Sequence, residues 1–149
     1  MKKDKNILND IVVPYQTSYN LNDIFTKKLE LVKFIRNGIP YSFFEKVSKY
    51  TNFDDQEWAS ILNISTKSLH RYKQADKTFK PIQSEKILEM IEITKIGLDV
   101  FEDKEKFNLW METPNFSLGN YKPKELVKDS YGKELVLTEL NQIKYGIFA

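Results

Sequence analysis

Apolar residues recur at helical spacing from about residue 20 to the end of this chain, interrupted by residues that start or stop helices. A first helix is predicted from Asn20 or Asn22, either a fitting N-cap, to Asn37. Ile24, Leu31, Val32 and Ile35 share one face of it, and Gly38 ends it. Ile39-Pro40 breaks the chain, and Tyr41–Tyr50 suits a short helix with Phe44 and Val47 inward. Asp54, with Glu57 three residues later, has the pattern of a capping box. Trp58, Ile61 and Leu62 then fall at i, i+3 and i+4, and Asn63-Ile64 makes a tight turn, asparagine tolerating the left-handed conformation better than most residues. Ser65 caps a further helix from Thr66 to about Gln74. Helix, tight turn, helix is the layout of a helix-turn-helix.

After Lys80-Pro81 a long helix is predicted from about Ile82 to Phe101. Ile87, Leu88, Met90, Ile91, Ile93, Ile96, Leu98, Val100 and Phe101 cover too much of its circumference for a surface helix, which implies burial on more than one side, between domains or in a dimer. Asp103 starts another helix ending before Pro114. Pro123 fits the first position of a short helix to Lys128, and Gly132-Lys133 opens a last helix that Gly146 terminates. Phe107, Trp110, Leu126, Leu135, Val136 and Leu140 are expected in the core, and the pairs Asp54-Asp55 and Glu102-Asp103 at helix starts. Strand signals are scarce, so the predicted fold is mainly α. The first twenty residues are weakly patterned, with Ile11-Val12-Val13 held extended before Pro14, and are expected to form an arm.

Composition narrows the chemistry. The chain has no cysteine and one histidine, His70, so disulfides, thiolate catalysis and a His/Cys metal site are excluded and no metal is expected. Ser68 and His70 stand two apart on one helix and point in different directions, which removes the one nucleophile–base pair on offer. Five glycines are scattered, without a phosphate-binding loop. No catalytic constellation and no cofactor is expected; the residues point to a binding protein rather than an enzyme. No apolar run approaches the roughly 20 residues of a membrane span and no secretory pattern opens the chain, so the expected location is the cytoplasm, with no membrane partner.

The net charge is only +2, yet it is unevenly spread. Residues 64–80 carry Lys67, Arg71, Lys73, Lys77 and Lys80 against Asp76 alone. A recognition helix offers short polar residues to base edges and cations to phosphates. Ser65, Thr66, Lys67, Ser68, His70, Arg71 and Lys73 supply both and are the candidate DNA-contacting set, with Leu69 turned toward Trp58 and Ile61. Arginine makes better bidentate base contacts than lysine, and Arg71 is one of only two in the chain, so it is the foremost candidate for direct readout.

The last third carries a further signature. Trp110-Met111, Pro114-Asn115 and Leu118-Gly119 are followed by Pro123, Glu125-Leu126-Val127, Gly132 and Tyr145-Gly146. This ordered spacing resembles the toxin-binding domain of the Xre/MbcA/ParS-type antitoxins, partners of RES-domain toxins. Residues 54–75 resemble the Xre-like helix-turn-helix that precedes that domain, and Gln83-Ser84-Glu85-Lys86-Ile87-Leu88 and Val100-Phe101 match the start and end of the family's following helix. The resemblance covers about residues 38–149. Lys122 and Asp129 stand where threonines are common in the family, and Lys67 and Ser68 where arginine and threonine are.

After the weakly patterned arm over 1–20, the resemblance implies an Xre-like helix-turn-helix and dimerisation region over 21–97 and a small helical toxin-binding domain over 98–149. It implies a type II antitoxin that neutralises a cognate RES-domain, NAD-consuming toxin by occluding its active site. It also implies repression of the antitoxin's own operon through operator DNA, by a homodimer within a toxin–antitoxin hetero-oligomer. In the family the C-terminal region lies against the toxin, so Lys144, Tyr145, Gly146, Ile147, Phe148 and Ala149 become the expected toxin-contacting residues. The alternative is a stand-alone dimeric helix-turn-helix regulator whose last domain only dimerises.

Overall fold

A computed structural model describes residues 21–146, the side chains of 21–26 excepted. The predicted arm, the side chain of Ile24, and the last three residues of the expected toxin-contacting tail lie outside what is described. Among the described residues eight α-helices follow in order: α1 (Leu21–Asn37), α2 (Tyr41–Ser48), α3 (Asp55–Leu62), α4 (Thr66–Gln74), α5 (Pro81–Phe101), α6 (Lys104–Glu112), α7 (Pro123–Leu126) and α8 (Ser130–Lys144). A single 3-10 turn, Phe116–Leu118, separates α6 from α7. Among the described residues the only β contacts are two isolated bridges, Pro40 with Thr78 and Asn115 with Tyr121.

Local chemistry fixes the helix ends. Gly38 stops α1 at φ +85°, its N–H reaching the carbonyls of Phe34 and Ile35 at 3.1 Å. Asp54 accepts the Glu57 N–H at 2.7 Å while Glu57 accepts the Asp54 N–H at 2.9 Å, a complete capping box. Asp129 caps α8 by accepting the Gly132 N–H at 2.7 Å, so that helix starts at Ser130 rather than at Gly132. At α7 only half a box forms: Glu125 accepts the Lys122 N–H at 3.1 Å, and the lysine ammonium has no lone pair to return the bond. Glu102 does not start a helix. It closes α5 in the left-handed conformation at φ +58°, and Asp103 alone caps α6.

The short α1–α2 and α4–α5 junctions are clipped together. Phe79 N–H donates to Ile39 O at 2.8 Å and Tyr41 N–H to Lys77 O at 3.0 Å. Beneath them the buried Ser84 hydroxyl accepts the Ile39 N–H at 2.9 Å and donates to Phe79 O at 3.3 Å. Phe44, Trp58, Tyr72 and Phe79 pack here, Phe44 edge-on to both Trp58 and Phe79.

Helix α5 runs through the middle and packs against α1, α3, α6 and α8. Ile87, Met90, Ile91, Ile93 and Leu98 are buried, and Leu88, Ile96 and Phe101 are partly covered. Its apolar excess therefore serves an intramolecular core shared by both halves. Two close approaches make that possible. A Cβ on Gly97 would lie 2.1 Å from the Phe107 ring, and one on Gly132 would lie 1.8 Å from the Leu126 carbonyl oxygen.

Three core expectations need correction. Leu135 is 53% exposed, while Trp110 and Leu126 are half-buried at the edge of the cluster. Phe107, Val136 and Leu140 are fully buried, as expected.

Gly132→Ala drives a methyl group into backbone rather than into a movable side chain. The expected cost is about 3 kcal/mol, a fall in Tm of roughly 6–12 °C by thermal unfolding. Gly146→Ala, with open space around it and only its φ of +65° to strain, is expected to cost about 1 kcal/mol.

Candidate functional site

The basic stretch occupies α4 and the turn after it. Asn63 adopts φ +54°, and its N–H closes α3 onto the carbonyls of Ala59 and Ser60. Ser65 then caps α4 by accepting the Ser68 N–H at 3.0 Å. Leu69 is buried, and Tyr72 stacks on Phe79 with centroids 4.7 Å apart, so two side chains hold α4 against the core. Ser65, Thr66, Lys67, His70, Arg71 and Lys73 are all exposed, and Ser68 is half-buried. Asp76, the one acid of this stretch, is engaged by the first turn of α2, accepting the Ser42 N–H at 2.9 Å.

Arg71 is tethered. Its Nη2 donates to Ser68 Oγ at 3.1 Å, and Ser68 Oγ also receives the Ser65 hydroxyl at 2.9 Å. The guanidinium thus leans back toward the N-terminal end of α4, and part of its side-chain entropy is already spent.

At the other end, α8 finishes at Lys144 with Tyr145 and Gly146 beyond it. Lys144 lies 4.0 Å from the Asp99 carboxylate and sits over the Tyr145 ring at 5.7 Å. Tyr145 is 68% exposed, and Gly146 after it takes a φ of +65°. Of the expected toxin-contacting set, Lys144, Tyr145 and Gly146 are therefore solvent-facing; Ile147, Phe148 and Ala149 are outside the described residues. The 115–121 loop also presents apolar surface. Asn115 organises it by accepting the Ser117 N–H at 2.9 Å, and Phe116 at its tip is 89% exposed.

Between these surfaces lies a polar junction that spacing alone does not indicate. Asn108 is buried, donates to Tyr50 O at 3.1 Å and Lys104 O at 2.9 Å, and accepts the Asn52 N–H at 2.9 Å. Lys124 Nζ meets Glu57 Oε1 at 2.5 Å and Glu112 at 3.6 Å. The hydrogen bond with Glu57 holds its ammonium pKa above the usual lysine range. Lys133, buried in α8, pairs with Glu89 of α5. Asn108 sits beside Phe107 on the buried side of α6, and an amide there is the one signal in the sequence that pointed inward. Among the described residues no group of three or more His, Asp or Glu side chains could hold a metal ion, and no helix is long and apolar enough to cross a membrane.

Comparison with known proteins matches the two halves that this junction joins. Residues 30–92 match the model of the antitoxin Xre-like helix-turn-helix domain, and residues 97–146 match that of the antitoxin Xre/MbcA/ParS C-terminal toxin-binding domain. The chain is 27% identical over 120 residues to the antitoxin Xre of Yersinia enterocolitica, covering 80% of this chain and 81% of that one. Among solved structures it resembles a chain of the M. tuberculosis MbcT-MbcA toxin–antitoxin complex. The TM-score is 0.57 at 21% identity, over 71% of this chain and 94% of that chain, a likeness of fold.

The Asn108 contacts give a test of the junction. Asn108→Ala removes the donor from Tyr50 O and the acceptor from Asn52 N–H, at an expected cost of about 2–3 kcal/mol in denaturant unfolding. Asn108→Asp retains the acceptor but turns a buried carboxylate toward two carbonyl oxygens, which raises its folded-state pKa. Its stability is expected to be poorest at neutral pH and to recover as pH falls through that raised pKa.

Proposed function

Because the chain belongs to the Xre/MbcA/ParS-type antitoxins, we propose that it neutralises a RES-domain toxin by steric occlusion and represses its own operon through α3 and α4. The observation that carries the first part is the match of residues 97–146 to a toxin-binding domain, on a fold whose last helix ends in solvent at an exposed tyrosine. The fold neighbour comes from a toxin–antitoxin complex, which supports the same kind of partner. Members of the RES class consume NAD or transfer its ADP-ribose. The antitoxin's contribution is then to fill the cleft that NAD would enter, with Lys144, Tyr145, Gly146, Ile147, Phe148 and Ala149 as the blockers. No chemistry is asked of the antitoxin.

DNA binding rests on α4, whose exposed hydroxyls and cations stand on a helix held by Leu69 and Tyr72. Arg71 reads a base edge from the position set by Ser68, Ser65 and Thr66 lie at the same end of the helix, and Lys67, His70 and Lys73 serve phosphates. A homodimer presents two such helices to an operator, since one helix-turn-helix on a small monomer binds weakly. The arm, the helix-turn-helix region and the toxin-binding domain are assigned to residues 1–20, 21–97 and 98–149. The site of action is the cytoplasm.

Two experiments test these assignments. Co-expression with the product of the adjacent toxin gene is expected to restore growth and yield a complex on affinity capture. Deleting residues 146–149 is expected to abolish rescue, and undiminished rescue by the truncated chain would sink the tail's role. In a gel-shift titration against the operon's own promoter, Arg71→Ala is expected to weaken operator binding by roughly 5–100-fold. Ser68→Ala should cost a smaller factor that Ser68→Thr restores. Affinity in all cases is expected to fall steeply with salt, as phosphate contacts release counterions.

A further inference from the structure

The outward side of α8 is built unlike a solvated helix face. Tyr131, Leu135, Thr138, Gln142 and Tyr145 follow one another at intervals of four and three residues, which places them in a strip about 80° wide. The opposite side carries the buried Gly132, Lys133, Val136 and Leu140. No member of the strip is charged, although charged residues make up 30% of the chain. Tyr131 is 83% exposed, Leu135 53% and Tyr145 68%. Exposed Glu134 borders the strip on one edge, but large apolar side chains hold positions that a solvated helix face normally gives to charge. Leu135, misplaced in the core by its hydrophobicity alone, belongs to this second face.

We infer that this strip is the main body of the toxin interface. The inference rests on the antitoxin reading above. Continuity supports it: Tyr145 belongs both to the strip and to the proposed tail. The segment matched as toxin-binding, residues 97–146, contains the whole of α8 and stops before the last three residues. Size supports it as well. A stable interface buries about 800 Å² per partner and engages roughly 20–30 residues a side, which six tail residues cannot supply. An uncharged strip containing two tyrosines and a leucine gives the apolar centre that such interfaces need.

The test compares single and paired substitutions in the full chain against the purified product of the adjacent toxin gene, by calorimetric titration or surface capture. Tyr131→Ala and Leu135→Ala are each expected to weaken the complex by roughly 10–50-fold, and Tyr131→Glu with Leu135→Glu to abolish capture. Because both side chains are exposed, unfolding transitions should stay at the wild-type temperature. Ile82→Glu, at an exposed apolar position outside the strip, is the control and should leave affinity unchanged. Wild-type affinity in the paired variant would overturn the inference while leaving the antitoxin reading standing. So would a wild-type chain that is dimeric by light scattering and becomes monomeric in the paired variant with toxin affinity intact, since the strip would then be covered by a second copy. A wild-type chain that does not bind the toxin at all would overturn the antitoxin reading itself, and the strip with it.

Discussion

Helix α5 can be enclosed by four other helices because Gly97 offers no side chain to the ring of Phe107. With a Cβ only 2.1 Å from that ring, α6 could not lie where it does. The contact is of the kind that close-packed interiors make unforgiving, since neither the helix backbone nor a fully buried phenyl ring has room to retreat. Once α6 is seated, Asn108 on its next residue reaches the loop after α2, and the helix-turn-helix half is fixed against the C-terminal half. Gly132 does the same service for α7 and α8, by bringing the Leu126 backbone against the last helix.

The polar groups of the junction add specificity to this packing. Glu57 serves twice: one oxygen completes the capping box of α3 and the other meets Lys124 of α7. The start of the helix-turn-helix is thereby tied to the C-terminal domain by a charge-assisted bond. Lys133 and Glu89 form a second tie, between α8 and α5. Buried ion pairs of this sort contribute little net stability, because desolvation offsets the attraction, but they penalise any arrangement that separates the partners. The two halves are thus held in one relative orientation by contacts that a slip of either helix would break.

This division of labour leaves the two outer surfaces free of structural duty. On α4, Leu69 and Tyr72 do the packing and the cations face away from it. On α8, Val136 and Leu140 do the packing, while Tyr131, Leu135 and Tyr145 face out. An antitoxin needs this separation, because both of its proposed partners must dock without disturbing the core that connects them. The difference between the surfaces is chemical: a cationic, hydroxyl-rich helix suits phosphate and base edges, and an uncharged aromatic strip suits a protein.

The helix boundaries were legible in the sequence because caps act locally. Asp54 with Glu57, Ser65, Asn63, Gly38 and Gly146 each do in space what their type and spacing imply; the differences are shifts of a residue or two at Ser48, Leu126 and Ser130, and Glu102, which closes α5 instead of starting α6. The cationic character of α4 was legible for the same reason, being a property of one short segment. What the sequence could not determine is which neighbour each apolar residue meets. Hydrophobicity states that a side chain prefers to leave water, not whether its partner lies in the same chain, so Leu135 read as core and Leu140 read as core with equal force. Only the placement of α8 on α5 separated them. The roles of Asn108, Glu57 and Lys124 likewise depend on groups distant in sequence being brought within hydrogen-bonding range, which the tertiary structure alone decides.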